Sequence, residues 1–492
     1  ARVALVDARG EHGYGRVLSA SAAVAARLRA AGVGKGERVA LLVTPGLEYT
    51  AALLGTWRAG AVAVPLSPAH PPPELAHVLG DSGAVAALAG EGRARTLERP
   101  AGTAGARVLP VDLEGPAGEE AAPPAAADAA LVLYTSGTTS RPKGVVLTHA
   151  HLEAQVGSLV EAWAWSPDDR LLHALPLHHT HGIVNGLLCA LRAGATCDHL
   201  ARFDASEAWA AFAARPVTLF MGVPTMYVRL IRAWEEAPPE TRAAWTAAAA
   251  GQRVMISGSA ALPVTVFERW REIAGHALLE RYGMTEIGMA LSNPLDGERR
   301  PGTVGVPLPA VRARLVDESG DPVAEGAPGG IEIAGPAVFT EYLNRPEETT
   351  RAFRDGWFRT GDEAVVERGY WRILGRSSVD ILKTGGYKVS ALEIEDALLA
   401  HPEVAECAVV GAPDPEWGER VCAAVVAAPG AALEPDALRA WAKERLAPYK
   451  APARVLLVRA LPRNAMGKVT KPTVRGWFEA PATGASETKE EE

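Results

Sequence analysis

The sequence has few cysteines and no long apolar run, and both absences limit what the protein can be. Its four cysteines, Cys189, Cys197, Cys407 and Cys422, form no CxxC pair, so they predict neither a disulfide framework nor a common zinc site. Arg, Asp and Pro interrupt the alanine-rich stretches before any reaches the ~18 apolar residues of a membrane span. We therefore expect a protein of a reducing, cytoplasmic compartment without a membrane partner.

Basic charge is also scarce. The 50 Lys and Arg residues are outnumbered by 58 Asp and Glu residues, and the formal net charge is −8. A nucleic-acid partner is therefore not expected, because such proteins carry an electropositive surface. The first residues, ARVALVDARGEHGYG, lack the basic-then-apolar pattern of a secretory signal. A targeting segment ahead of residue 1 is left open, and the oligomeric state is not readable from the sequence.

The order of helical and extended patterns predicts an α/β protein of at least two domains, since 492 residues exceed one ordinary core. Helical spacing over 14–31 and 48–59 alternates with short apolar runs over 38–43 and 61–65, which is typical of βα units on a mostly parallel sheet. After Pro301, glycine and proline divide short runs and predict an antiparallel sheet or small barrel. Mixed α/β patterning returns from Ser377, with helices predicted over 391–400 and 435–446.

Residues 134–144, YTSGTTSRPKG, combine hydroxyls, glycines and two cations directly after the apolar run AALVL. Such a loop between two strands suits a polyphosphate, whose oxygens need backbone and hydroxyl donors and positive charge. A Walker loop is excluded because Lys143 precedes Gly144 rather than Ser or Thr. The alternative is a polar surface hairpin.

Four histidines lie in the stretch LLHALPLHHTHG, residues 171–182. A metal site is one interpretation, but no Cys or carboxylate stands nearby at ligand spacing, and the wall of a substrate pocket is favoured. Strand-then-turn patterns over 217–224, 253–260 and 277–286 end where a parallel sheet places its ligands, at the carboxyl ends of its strands.

Four motifs in one order resemble those of the adenylate-forming superfamily of acyl-CoA synthetases, luciferases and peptide-synthetase adenylation domains. They are YTSGTTSRPKG at 134–144, YGMTE at 282–286, RTGD at 359–362 and PRNAMGK at 462–468. The resemblance implies an α/β N-terminal core, residues 1–375, of two β/α subdomains plus a β-barrel-like subdomain. It further implies a hinge at 376–380, a small mobile α+β C-terminal domain at 381–480 and a disordered tail at 481–492.

The resemblance also implies a two-step reaction with ATP, Mg²⁺ and coenzyme A, in which an acyl-adenylate forms first and the thiol then attacks it. Lys468 would bridge the acid and the α-phosphate, while Glu286 and Thr138 would hold Mg²⁺. Lys383, Gly385 and Gly386 would face coenzyme A. The phosphates would be bound by Thr135, Ser136, Gly137, Thr139 and Lys143. Adenine would lie near Ser257, Gly258, Ser259, Ala260, Tyr282, Gly283, Met284 and Thr285, with the ring of Tyr282 stacked on it. Asp362 and Arg376 would bind the ribose.

Two departures from the family pattern concern mobile parts. Ser140 stands where the phosphate loop usually has glycine, which would restrict that loop. The segment from Arg376 to Lys383 is one residue longer than the common hinge, so the pivot is either Ser377 or Ser378 and the partner of Asp380 is left open.

The acid is predicted from Arg281, since a buried arginine at a strand end needs a carboxylate partner. With His178, Thr180, His181 and Met289, this residue predicts a small polar pocket, and the stretches ERYGMTEIGMALS and HHTHG resemble malonyl-CoA synthetases. Malonate is expected, with methylmalonate second. The alternatives are that Arg281 pairs with Glu280 or Asp362, that another short or medium acid is activated, or that a carrier protein is loaded. Aromatics, at 6%, are too few for a luciferase-like pocket.

Overall fold

The computed structural model describes residues 2–115, 123–135, 142–384, 387–414, 417–463 and 468–479. The predicted connector around 115–127 therefore lies largely outside the described residues, as do most of the phosphate loop and the charged tail. In the described part, no helix is both long and apolar enough to cross a membrane.

The first part of the chain alternates short buried strands with helices, as the sequence predicts. Its elements are β1 (Val3–Asp7), β2 (Gly10–Gly13), α1 (Tyr14–Ala30), β3 (Arg38–Leu42), α2 (Leu47–Arg58), β4 (Val62–Pro65), α3 (Pro72–Ser82), β5 (Ala86–Ala89), α4 (Ala94–Ala104), β6 (Arg107–Pro110), β7 (Ala129–Thr135) and β8 (Lys143–Thr148). Helix α3 follows the sequence preferences of helix ends: prolines occupy its first positions, and Gly83, in the left-handed conformation, ends it.

The next part carries the longer helices and the strands that approach the candidate site. Its elements are α5 (His149–Ala162), β9 (Arg170–His173), a π-helix (His181–Leu188), α6 (Cys189–Ala193), β10 (Thr196–His199), α7 (Ala205–Ala214), β11 (Leu219–Gly222), α8 (Pro224–Glu236), α9 (Pro239–Ala250), β12 (Val254–Ser257), α10 (Val264–Ala274), β13 (Leu279–Met284) and β14 (Gly288–Ser292). The sequence did not predict the π-helix, a rare conformation that is common at functional sites.

The third part of the chain consists mainly of short strands, and the last part mixes helices and strands. The third part consists of β15 (Val306–Pro307), β16 (Arg312–Val316), β17 (Gly329–Ala334), β18 (Glu341–Tyr342), α11 (Pro346–Ala352), β19 (Phe353–Arg354), β20 (Trp357–Glu367) and β21 (Tyr370–Arg376). The last consists of β22 (Ile381–Thr384), β23 (Tyr387–Ser390), α12 (Ala391–Leu399), β24 (Val404–Asp414), β25 (Gly418–Ala427), α13 (Pro435–Lys443), β26 (Arg454–Leu457) and α14 (Lys471–Glu479). The helix predicted over 435–446 was too long: it ends at Lys443, shortly before Pro448.

Two large, mainly parallel sheets form the centre of the molecule. One has the strand order β18-β8-β7-β4-β3-β5-β6 and the other β15-β14-β13-β12-β11-β9-β10-β1-β2. Antiparallel pairs occur at their edges, including β7 with β8 and β13 with β14. Helices α1, α2 and α5 contribute to the apolar core around these sheets, which is why the strands are buried on both faces.

Two smaller sheets complete the fold. Strands β16, β17, β19, β20 and β21 form an antiparallel sheet, which confirms the change of pattern predicted after Pro301. Strands β22 to β26 form the last sheet and pack, with α12, α13 and α14, around cores of their own. The α/β fold class with a small α+β C-terminal part is confirmed.

Candidate active site

The candidate site lies where β12 and β13 end side by side. The two strands are parallel, with Ser257 beside Glu280, so the turn after β12 and the YGMTE segment of β13 emerge at the same sheet edge. Strand β13 then turns back through Gly288 into β14, and Met284 pairs with Gly288 across that hairpin. The adenine-side residues predicted from two distant motifs are thus neighbours.

Asp362 links β13 to the antiparallel sheet. The hydroxyl of Tyr282 donates to Asp362 Oδ2 at 2.6 Å, and Arg376 Nε donates to Asp362 Oδ1 at 3.1 Å. Burial raises the pKa of the Asp362 carboxyl, and the Arg376 guanidinium opposes that shift. Each carboxylate oxygen still has acceptor capacity, so this cluster could accept further hydroxyl donors.

Glu286 lies buried beside a second cluster, which reaches the base of the phosphate loop. The Tyr342 hydroxyl donates to Glu286 Oε1 at 3.0 Å. Lys143 Nζ lies 2.6 Å from Glu348 and 4.7 Å from the centre of the Tyr342 ring. Burial raises the pKa of Glu286, while Arg376 and Lys143 lower it. The site therefore places a desolvated carboxylate within the field of two cations.

Arg281 is a buried cation that forms no ion pair with any described residue. It is 3% exposed, and its Nε and Nη2 atoms find no hydrogen-bond acceptor among the described residues. Glu280 instead accepts from the Leu262 amide, and Asp362 binds Tyr282 and Arg376, so the alternative of an ion pair with either carboxylate is not supported. Burial lowers the Arg281 pKa to about 9. A charge held this way is costly unless an anion joins it.

Gly258 makes room for the Arg281 guanidinium. A Cβ atom at Gly258 would lie 2.6 Å from the guanidinium carbon, which is far inside contact distance. The next residue, Ser259, has φ +70, a left-handed backbone that is uncommon for serine. Its hydroxyl lies 3.3 Å from His181 Nδ1. The turn after β12 is therefore shaped around Arg281 and the first residue of the π-helix.

The histidines form a buried wall of neutral imidazole rings. Burial lowers the pKa of His178 to about 3 and that of His179 to about 4. His181 has its pKa well below normal for the same reason, and its Nε2 atom is buried without a partner in the described structure. The metal interpretation gains no support, since no group of three or more metal-ligating side chains occurs among the described residues.

Lys468 reaches this site from the C-terminal part of the chain. Burial lowers its pKa, Arg376 and Arg281 lower it further, and Asp362 and Glu286 raise it. Its charge also lowers the pKa of His179. Residues from two other predicted motifs, Glu286 and Asp362, and from the substrate pocket thus share one electrostatic environment with Lys468.

The other predicted residues lie on the C-terminal sheet, beside the YGMTE segment, or outside the described structure. Lys383 is exposed on β22, and its amide donates to Glu419 Oε2 at 2.8 Å. Thr180 and Thr285 lie with their hydroxyl oxygens 3.5 Å apart, and Met289 is buried behind Gly283. The predictions for Ser136, Gly137, Thr138, Thr139, Ser140, Gly385 and Gly386 concern residues outside the described structure.

Sequence reasoning missed two site residues. Tyr342 holds Glu286, and Gln155 Oε1 accepts from the Met289 amide at 2.8 Å. Neither lies in a recognisable motif; the only local signal for Gln155 is a polar residue on the buried face of α5. Asp380, whose partner was left open, binds Lys471 Nζ at 2.5 Å and accepts from the Arg376 amide.

Comparison with known proteins places these features in one family. A family model for AMP-binding enzymes matches residues 1–343, and one for the C-terminal domain of such enzymes matches residues 393–468. The mouse protein named malonate–CoA ligase ACSF3, mitochondrial, is 44% identical, covering 96% of this chain and 87% of the relative. An Arabidopsis thaliana malonate–CoA ligase is 44% identical over 89% of this chain and 77% of its own length.

Solved structures lead to the same family. ATP-bound MatB from Rhodopseudomonas palustris matches with a TM-score of 0.90 at 38% identity, covering 97% of this chain and 96% of that one. A malonyl-CoA ligase in a ternary product complex with methylmalonyl-CoA and AMP matches with a TM-score of 0.69 at 42% identity, covering 94% and 97%. The chain belongs to the AMP-binding enzyme family, and it is an AMP-forming acyl-CoA ligase.

Proposed function

We propose that this enzyme is a malonyl-CoA synthetase, which converts malonate, ATP and coenzyme A to malonyl-CoA, AMP and pyrophosphate and accepts methylmalonate as a second acid. The observation that carries the proposal is the buried, unpartnered guanidinium of Arg281. A diacid can present one carboxylate to this cation and the other to ATP. A monoacid would leave the cation buried without a partner, at a cost of several kcal/mol.

His181 supports the same assignment. Its partnerless Nε2 atom lies on a ring whose other nitrogen is 3.3 Å from Ser259. With the Ser259 hydroxyl donating to Nδ1, the neutral ring would carry its proton on Nε2 and could donate to a carboxylate. Thr180, His178 and Met289 complete our proposed acid pocket.

For the first half-reaction, we assign Lys468 to the acid carboxylate and α-phosphate and Asp362 with Arg376 to the ribose. Attack of a carboxylate on a polyphosphate is opposed by charge, so cations that neutralise both reactants lower the barrier. Lys143, now paired with Glu348, would exchange that partner for a phosphate. Tyr282, whose hydroxyl is held by Asp362, offers its ring to adenine.

Magnesium fits the Glu286 side chain. Mg²⁺ in nucleotide sites is commonly held by one or two carboxylates plus phosphate oxygens, and Glu286 is a lone buried carboxylate whose pKa is raised by desolvation. The ion would supply further positive charge to the phosphates, and Thr138 is our second proposed ligand. Tyr342 orients the carboxylate through its hydrogen bond.

For the second half-reaction, we propose that residues 381–480 rotate about a hinge at 376–380 relative to the core at 1–375. The TM-score is higher for the ATP-bound relative than for the product-bound one, although the product-bound relative has the higher sequence identity. A different arrangement of the two domains in the product-bound relative would account for this difference in TM-score. Lys383 with Gly385 and Gly386 would then face coenzyme A.

We keep a reducing compartment as the proposed location. The cysteines of the chain are free thiols, and three of them are buried. The cytoplasm is our first expectation, and the mitochondrial name of the mouse relative makes the organelle the alternative. The proposed partners are small molecules, with neither nucleic acid nor membrane.

The test is pyrophosphate release with a panel of acids, each with and without coenzyme A. We expect malonate to give the highest kcat/KM, methylmalonate to follow, and acetate and butyrate to be poor substrates. Release that needs the acid but not coenzyme A supports the adenylate step. A preference for butyrate or a longer monoacid would refute the assignment to malonate while leaving the ligase chemistry intact.

A further inference from the structure

Helix α10 of the large N-terminal part has no N-terminal cap of its own. Pro263 stands at the cap position and offers no side-chain acceptor, so the first amides of the helix need partners from elsewhere. Val264, the first helical residue, donates its N–H to Asp396 Oδ1 at 3.0 Å. Asp396 belongs to α12, which follows the hinge, so a small-domain carboxylate caps a large-domain helix.

The capped segment leads directly to the substrate wall. Leu262 donates its N–H to Glu280 Oε1 at 3.0 Å, and Glu280 neighbours Arg281 on β13. Two acidic side chains, one from each domain, therefore hold the chain at Leu262 and Val264, shortly after Ser259 and Ala260. The charge of Asp396 also contributes to the raised pKa of Glu280, after burial as the main cause.

Helix α12 is also joined to the segment that carries Lys468. Glu395, next to Asp396, lies 2.7 Å from Lys471 Nζ, and Lys471 also binds Asp380 in the hinge at 2.5 Å. Lys471 is three residues beyond Lys468. Helix α12 thus connects the hinge, the large domain and the lysine turn.

We propose that Asp396 is a positioning residue that selects the arrangement of the small domain used for adenylation. Its bond to Val264 exists only while α12 lies against α10, so rotation about the hinge must break it. The bond stabilises the orientation that brings Lys468 to the site and is absent from the orientation used for thioester formation. This inference rests on the proposed two-step function.

The experiment compares Asp396→Ala with Asp436→Ala. Both remove an aspartate from a small-domain helix, and Asp436 is exposed with its carboxylate on Arg439 at 2.9 Å. We expect Asp396→Ala to slow malonate-dependent ATP–pyrophosphate exchange by roughly tenfold, which is the order for losing a charged acceptor, and to leave thioester formation from supplied acyl-adenylate unchanged. Asp436→Ala should alter neither half-reaction.

A second variant removes the donor instead of the acceptor. Val264→Pro eliminates the N–H, and proline is well tolerated at the first helical position; the extended backbone of Pro263, with φ −57 and ψ 136, suits a following proline. Val264→Pro should reproduce the selective loss of ATP–pyrophosphate exchange. The double variant, Asp396→Ala with Val264→Pro, should lose little more of this activity than either single variant.

Hydrogen exchange supplies a readout that does not depend on activity. The Val264 amide should be protected in the unaltered enzyme and in Asp436→Ala, and should lose protection in Asp396→Ala. Equal protection in Asp396→Ala, or equal losses in both half-reactions, would overturn the proposal. Absence of malonate-dependent exchange in the unaltered enzyme would instead refute the proposed function, and the amide measurement would still decide whether Asp396 docks the domain.

Discussion

At the scale of single residues, the site depends on charges that the fold removes from water. Arg281 and Glu280 are adjacent in β13, but successive side chains of a strand point to opposite faces, and the two do not form an ion pair. Each is buried, at 3% and 4% exposure. The consequence is a guanidinium available to a substrate and a carboxyl group that is held protonated near neutral pH.

Arg281→Ala should remove the preference for diacids. We expect kcat/KM for malonate to fall by an amount equivalent to about 2–5 kcal/mol, as for truncation of one partner of a buried charge pair, with butyrate much less affected. The measurement is kcat/KM for both acids. An Arg281→Ala enzyme that still prefers malonate over butyrate would exclude this residue as the specificity determinant.

Gly258→Ala tests the same pocket without removing the charge. The new Cβ would contact the guanidinium at 2.6 Å and displace it, so KM for malonate should rise. Gly251→Ala is the matched control, because its Cβ would meet no atom closer than 3.5 Å. A Gly258→Ala enzyme with unchanged KM would show that the guanidinium position does not matter.

Glu280 predicts a pH dependence of stability. Burial raises its pKa from 4.5 to about 8, so between these values the folded state binds more protons than the unfolded state. Stability must therefore fall as pH rises from about 4.5 to 8 through this group. Glu280→Gln should remove that contribution and raise the melting temperature relative to the unaltered protein at pH 8–9 but not at pH 5. If the melting temperatures of Glu280→Gln and the unaltered protein differed by the same amount at every pH, the assignment would be contradicted.

At the scale of elements, short polar contacts fix how secondary structures meet. The hydroxyl of Ser390, which caps α12, also donates to the Leu374 carbonyl oxygen at 2.5 Å. At the other end of the small domain, α14 begins with Lys471, which is buried between Asp380 and Glu395. Both contacts join the small-domain helices to the hinge region.

Lys471→Met should destabilise the small domain strongly. Removing the cation leaves two largely buried carboxylates, 16% and 14% exposed, with backbone donors but without their counter-charge, which costs up to about 3–5 kcal/mol. Lys450→Met is the control: Lys450 pairs with Glu393 at a site where the carboxylate is 39% exposed, and such pairs contribute about 0–1 kcal/mol. Denaturant unfolding of both variants measures the difference. If Lys471→Met and Lys450→Met had the same midpoint denaturant concentration, the Lys471 cluster would not be stabilising.

At the scale of the whole molecule, the site is complete only when both domains contribute. Asp362, Glu286 and Arg281 lie in the large N-terminal part, whereas Lys468 lies in the small C-terminal part and interacts electrostatically with all three. On the proposed function, one chain would perform two reactions at one site by exchanging the face of the small domain.

Lys468→Ala should separate the two reactions. We expect it to abolish formation of the acyl-adenylate and largely spare thioester formation from preformed acyl-AMP, because the cation is needed only where two anions meet. ATP–pyrophosphate exchange and thioester formation are the two assays. Equal loss in both would mean that Lys468 acts on folding or on domain orientation instead.

The sequence by itself determined the fold class, the order of the motifs and many of the strands, with four of the helices, because hydrophobic periodicity and turn residues are local signals. It also singled out Arg281, since a charge beside an apolar strand run is visible in the chain. The partners of these residues were not visible. Tyr342 on Glu286, Ser259 on His181 and Asp396 on Val264 join residues 56, 78 and 132 positions apart. Only the tertiary structure decided these contacts, because they depend on how separately folded elements and two domains pack together.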